Sequence, residues 1–89
     1  MINHDLARFE FEYLTQENIK VGRLRYRYLK EGIIDAYTTK VDDDFQGQGI
    51  AGELYNALIN FAQQKGLKVK PSCSYIHVKM QRSHQELMA

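Results

Sequence analysis

Three of the chain's six glycines, Gly47, Gly49 and Gly52, fall in the run "FQGQGIAGELYN" at 45–56, the mouth of its best candidate helix. Glycine weakens a helix, so the placement points to a backbone that something must approach closely. The free N–H groups and positive dipole end of a helix N-terminus favour an anion, and phosphate is the usual one. A lone glycine pair is more often a plain strand-to-helix turn. The phosphate-loop pattern G-x-x-x-x-G-K-[ST] is absent. Asp42, Asp43 and Asp44 precede the glycines, but consecutive residues do not converge on one metal ion without special turns, so a solvated loop is expected there. The single cysteine, Cys73, stands in "PSCSYIH" with His77 four residues on. One helical turn apart, an imidazole could act as base for a thiol. The ordinary alternatives are a small buried cysteine and a surface histidine.

The elements that must position these residues are legible from periodicity. Strands are expected over about Arg8–Leu14, Ile19–Lys30 and Ile33–Val41, joined by the polar turns "TQEN" and "EG" into an antiparallel meander. Within the second strand the apolar parity changes from Ile19 and Val21 to Leu24, Tyr26 and Tyr28, which predicts a bulge near Gly22. Ile50, Leu54, Ala57, Leu58, Phe61 and Ala62 then recur at helical spacing, with Gly66 suited to the C-cap. "LKVK" reads as a fourth strand ended by Pro71, followed by two short helical segments. Ser83 and Glu86 have the spacing of a capping box. Strand, helix, strand from Val41 to Val69 is a right-handed crossover, so the third and fourth strands should run parallel. The fold class is α/β, with residues 1–89 as a single domain.

Twelve Lys and Arg against eleven Asp and Glu argue against a general nucleic-acid binder. In "RLRYRY", Arg23, Arg25 and Arg27 share one strand face, and the preceding "RFEFEYL" sets Glu10 and Glu12 opposite Phe9, Phe11 and Tyr13. Paired antiparallel, arginines meet glutamates in a solvated polar face, and an RNA-binding sheet is the lesser reading. No apolar run approaches a membrane span, and "MINHDLARFEFEY" has no secretory pattern, which points to a cytoplasmic protein.

Gln46-Gly47-Gln48-Gly49-Ile50-Ala51 resembles the Q/R-x-x-G-x-G/A signature of the GNAT (Gcn-related N-acetyltransferase) superfamily, with Gln46, Gly49 and Ala51 at the specified positions. Joined to the helix that follows, to "GLKVKPSCSYI" and to a short helical tail, it is similar to the small Yjdj-type branch. The likeness extends over roughly Arg8–Leu87. It implies a GNAT fold with acetyl-CoA or CoA as cofactor and an amine as acceptor. The pyrophosphate would sit on Gln46–Ala51 and the pantetheine arm in a splay between the third and fourth predicted strands. Backbone N–H groups near Val41 would orient the thioester carbonyl. "TQEN" leaves no room for the helices that larger relatives insert after the first strand, so the acceptor pocket should be open or differently built.

The resemblance also assigns chemistry after Pro71. Tyr75 matches the tyrosine of the family's C-x-Y run and could protonate the departing thiolate, with plain packing as the alternative. Cys73, just beyond a strand that lines the cleft, would come close to the thioester. It could accept the acyl group if an adjacent helix N-terminus lowers its pKa. Two departures stand against easy catalysis. Relatives in this branch often carry a His-Thr-Glu-Val type sequence before the signature, whereas Thr38-Thr39-Lys40-Val41 lacks both the histidine and the carboxylate. Gln46 also replaces a frequent arginine, so phosphate binding leans on backbone dipoles. The alternatives are a CoA-binding module with little or no catalysis, and an unrelated interaction domain using exposed strands.

Overall fold

A computed structural model describes all of residues 1–89. In chain order the elements are β1 (Ile2–Asp5), β2 (Glu10–Leu14), β3 (Lys20–Lys30), β4 (Ile33–Val41), α1 (Ile50–Lys65), β5 (Lys68–Lys70) and α2 (Ser74–Ser83). Short 3-10 turns lie at Asp43–Phe45 and Gln85–Leu87. The sheet order is β1-β2-β3-β4-β5; the first four strands pair antiparallel and β5 joins parallel to β4. The expected meander, crossover helix and parallel last strand are therefore present, and one further strand extends the meander at its start.

That extra strand has no alternation in "INHD"; contacts made only after folding hold it. The His4 ring stacks on Phe11 with centroids 4.0 Å apart, Asn3 Nδ2 donates to Glu12 Oε1 at 2.7 Å, and the Leu14 N–H donates to the Met1 carbonyl at 2.8 Å. The strand expected from Arg8 begins instead at Glu10. Asp5 Oδ1 accepts from the N–H groups of Ala7 and Arg8, both at 3.1 Å, and closes a turn in which Phe9 takes a φ of 55°. Phe9 thus leaves the alternating row. The second strand likewise starts at Lys20 rather than Ile19.

The bulge lies where the parity change requires it. Val21 is the extra residue between the pairs Tyr13↔Gly22 and Leu14↔Lys20, so Val21 and Gly22 are both buried. Gly22 has a second reason to lack a side chain: a Cβ there would stand 2.9 Å from Ile50 Cγ2. The first turn of α1 rests on this stretch of backbone.

Arg25 pairs opposite Glu10 and Arg23 opposite Glu12, as alternation predicts. The face is less solvated than expected, because Glu10 is only 4% exposed, with Lys20 Nζ at 2.7 Å and Arg25 Nε at 3.9 Å. On the other face, Leu24, Tyr26, Ile34 and Val69 meet Leu54, Leu58 and Ala62 of α1 in one core. Each large apolar side chain buried there contributes about 1.5–3 kcal/mol. Tyr55 and Ile59 are buried too, so the apolar face of α1 is wider than its predicted stripe. Gly66 closes the helix at φ 66°, its N–H reaching the Ala62 and Gln63 carbonyls.

Ile76 and Met80 bring α2 into the same core, and Tyr55 Oη meets His84 Nδ1 at 2.5 Å. The Ser83–Glu86 capping box does not form. Ser83 is the last residue of α2, and His84, held by Tyr55, precedes the final 3-10 turn without a side-chain cap. No helix is long and apolar enough to cross a membrane.

Candidate functional site

β4 and β5 pair only at Ile33↔Lys68, Ile34↔Val69 and Asp35↔Lys70. Pro71 brings no N–H to a ladder, and β5 ends before it. The Cys73 N–H adds one last link, to the Ala36 carbonyl at 2.9 Å. Beyond that point Tyr37–Val41 of β4 has no strand beside it on the edge away from β3. The Asp42 N–H donates to the Val21 carbonyl at 2.8 Å, so ladder alternation turns Val41's own N–H and C=O away from β3 and into the opening.

The opening leads to α1. Gly47 and Gly49 have φ of 82° and 81°, the left-handed region that other L-residues enter at a cost of about 1–2 kcal/mol. A Cβ at either position would meet nothing within 4 Å, so backbone conformation rather than crowding calls for glycine. Gly49 caps α1 without a side-chain hydrogen bond, and Glu53 N–H bonds back to the Gly49 carbonyl at 3.1 Å. The N–H groups of Ile50, Ala51 and Gly52 precede it, in the turn where a helix has no internal acceptor. With Thr39, Val41, Phe45 and Tyr75 they border a cleft of about 330 Å³. The dipole and these donors suit an anion.

Gln46 acts as a tether for this loop. Its Nε2 donates to the Val41 carbonyl and to Asp43 Oδ1, both at 3.3 Å. Asp42, Asp43 and Asp44 are exposed, and no group of three or more His, Cys, Asp or Glu is arranged to hold a metal ion. Tyr75, in the first turn of α2, has its hydroxyl 3.9 Å from where a Gly52 Cβ would stand. Burial, and then the neighbouring Cys73, hold its pKa above the usual 10.0, so it remains an O–H donor at neutral pH.

Of the residues singled out in the sequence, Val41, Gln46, Gly47, Gly49, Ile50, Ala51 and Tyr75 come together around this one cleft. Gln48 and Cys73 do not line it. Cys73 is the half-buried N-cap of α2, and its Sγ donates to Thr39 Oγ1 at 3.6 Å, one side chain away from the wall. The imidazole–thiol pair of His77 and Cys73 does not form: the thiol turns to β4, and His77 bonds Cys73 only through its backbone N–H, at 2.9 Å.

Two residues of the cleft wall and one buried acid of β4 escaped the sequence reading. Thr39 follows from Val41 by period two and could have been found. Phe45 sits in a 3-10 turn that carries no periodic signal. Asp35 is 1% exposed in the otherwise apolar "IIDAY"; its Oδ2 accepts from Arg27 Nε at 3.2 Å and Nη2 at 3.1 Å, while Oδ1 has no partner. An acid inside an apolar strand was the available signal. Asp35 is the last β4 residue paired with β5, at the closed end of the splay.

Comparison with known proteins follows the same lines. The family model of GCN5-related N-acetyltransferases matches residues 8–88. Protein NATD1 of Mus musculus is 32% identical over 75 residues, which is 84% of this chain and 68% of that protein. The solution structure of a GCN5-like protein from Staphylococcus aureus superimposes with a TM-score of 0.76 at 25% identity, over 100% of this chain and 87% of its own. A GNAT family acetyltransferase from Elizabethkingia anophelis, solved with acetyl-CoA bound, shares the fold at a TM-score of 0.63 and 19% identity, over 84% of this chain and 51% of its own.

Proposed function

Because the chain belongs to the GCN5-related N-acetyltransferase family, we propose that it binds acetyl-CoA between β4 and β5 and passes the acetyl group to an amine. One observation carries this reading: a strand edge without a neighbour and a helix N-terminus without a side-chain cap meet at one cleft. The amides of a pantetheine arm can pair with the free edge of β4 as a continuation of β5 would. The pyrophosphate would lie against the N–H groups of Ile50, Ala51 and Gly52. The acetyl-CoA complex of the Elizabethkingia neighbour supports the cofactor. Residues 1–89 act as one domain, and the working compartment is the cytoplasm.

In the proposed reaction the Val41 N–H polarises the thioester carbonyl. A neutral amine attacks, the new C–N bond forms and the C–S bond breaks, and the Tyr75 hydroxyl protonates the departing thiolate. No carboxylate or imidazole lines the cleft, so the amine's proton needs a group outside it. Solvent at the open mouth of the cleft takes that proton. Cys73 offers a two-step route: its thiolate displaces CoA, which leaves with the thiol's proton, and the new thioester then acetylates the amine. The second reading, a CoA-binding module without turnover, is favoured by the lack of a base in the wall.

Acetyl-CoA supplied with a panel of amines separates these readings, with CoA release and intact protein mass as readouts. Amine-dependent CoA release is expected, together with a mass gain that Cys73→Ala abolishes. Bound CoA with neither release nor acetylation would leave the module; no CoA binding would overturn both.

A further inference from the structure

Behind the cofactor cleft lies a second hollow of about 320 Å³, walled by Lys20, Val21, Gly22 and Arg23 from β3 and by Lys40 and Asp42 at the end of β4. The two hollows share one strand. Thr39 and Val41 border the first, Lys40 and Asp42 the second, because successive side chains of a strand leave by opposite faces. The second hollow thus opens on the side of the sheet away from α1, where Arg23, Arg27 and Lys40 are exposed.

Its charges oppose the stability of the sheet. Arg23 and Lys40 are direct cross-strand partners, a position in which like charges destabilise a ladder. Neither forms an ion pair, whereas Lys20 on the same wall is already held by Glu10 at 2.7 Å and Glu12 at 3.7 Å. An anion seated between Arg23 and Lys40 would replace one repulsion by two charge-assisted contacts. The volume suits a small molecule. A cofactor entering from the α1 side leaves this opposite side for the acceptor.

We propose, resting on the acetyl-transfer reading, that this hollow holds the anionic end of the acceptor, so that the substrate is a small amine also bearing a carboxylate or a phosphate. Arg23 and Lys40 set that specificity. Asp42, the one acid in the wall, attracts a cationic end, but less than Arg23 and Lys40 together repel it.

The test uses the full chain saturated with CoA, titrated with inorganic phosphate while backbone amide shifts are followed by NMR. Saturable shifts at Val21, Gly22, Arg23 and Lys40 are expected, weakened about tenfold or more in Arg23→Gln and Lys40→Gln. Lys40→Gln should melt no lower than the wild type, since it relieves the facing repulsion, whereas Arg23→Gln also loses its facing Glu12. O-phosphoethanolamine, glycine and putrescine then distinguish the sources. Tighter binding of the first assigns a phosphate and of the second a carboxylate, while putrescine, which has no anion, should leave these amides unmoved. Failure of the cofactor reading would appear earlier, as no CoA binding before phosphate is added. Phosphate shifts that do not saturate or that survive both variants, or putrescine binding as well as the anionic amines, would overturn the proposal.

Discussion

The His4 imidazole lies against Phe11 and Phe61, at centroid distances of 4.0 and 4.6 Å, and its Nε2 meets the Tyr26 hydroxyl at 2.6 Å. Burial lowers its pKa below the ordinary 6.5, and the Asp5 carboxylate offsets this only in part. Burial also lifts Tyr26 to about 12, with Tyr28 adding to the effect. A histidine depressed in the folded state is protonated first in the unfolded chain. Its contribution to stability is therefore complete above the unfolded value, about 6.5, and is lost as pH falls below it toward the folded value. The urea midpoint should accordingly drop between about pH 7.5 and about pH 5.5, and His4→Phe should flatten that slope. An equal slope in the variant would place the titration elsewhere. Tyr75 at the cleft shifts in the same direction as Tyr26, upward through desolvation first and Cys73 second.

At the scale of elements, the loop before α1 depends on Gly49 for shape. A β-branched residue at φ 81° is strained although no atom lies within 4 Å of its Cβ. Gly49→Val should cost about 1–2 kcal/mol, a fall in Tm on the order of 10 °C for a domain of this size. Calorimetry should find CoA binding abolished in the still-folded variant, because the N–H groups of Ile50 to Gly52 no longer converge. Wild-type affinity would remove α1 from the phosphate site. The same elements show what a sequence can carry. The stripe from Ile50 to Ala62 gave α1, and the parity change at Gly22 gave the bulge, because both are local consequences of burial. "INHD" gave no hint of β1, whose order comes from the Phe11 ring and the Glu12 carboxylate across the sheet. Phe9 fits the alternation of β2 by type, yet Asp5 draws the preceding backbone into a turn. Ser83 and Glu86 have a box's spacing, but α2 runs through the serine.

For the whole molecule, the family resemblance and the cofactor loop were legible because "QGQGIA" and "PSCSY" are contiguous runs. The cleft's second wall was not, since it depends on where β4 and β5 part, and that is fixed by Pro71 and by the link from the Cys73 N–H to Ala36. The hollow behind it depends on cross-strand register, which brings Arg23 opposite Lys40 from positions well separated in the chain. These pieces converge on one claim, that CoA lies along the free edge of β4 with its phosphates at the start of α1. The most direct measurement of that claim is an amide-shift titration of the wild-type chain with CoA. Saturable changes are predicted at Val41, Gly47, Gly49, Ile50, Ala51 and Gly52, with β1 and β2 unmoved. No change in the Gly47–Gly52 amides at saturating CoA, or changes centred on another face, would contradict the account.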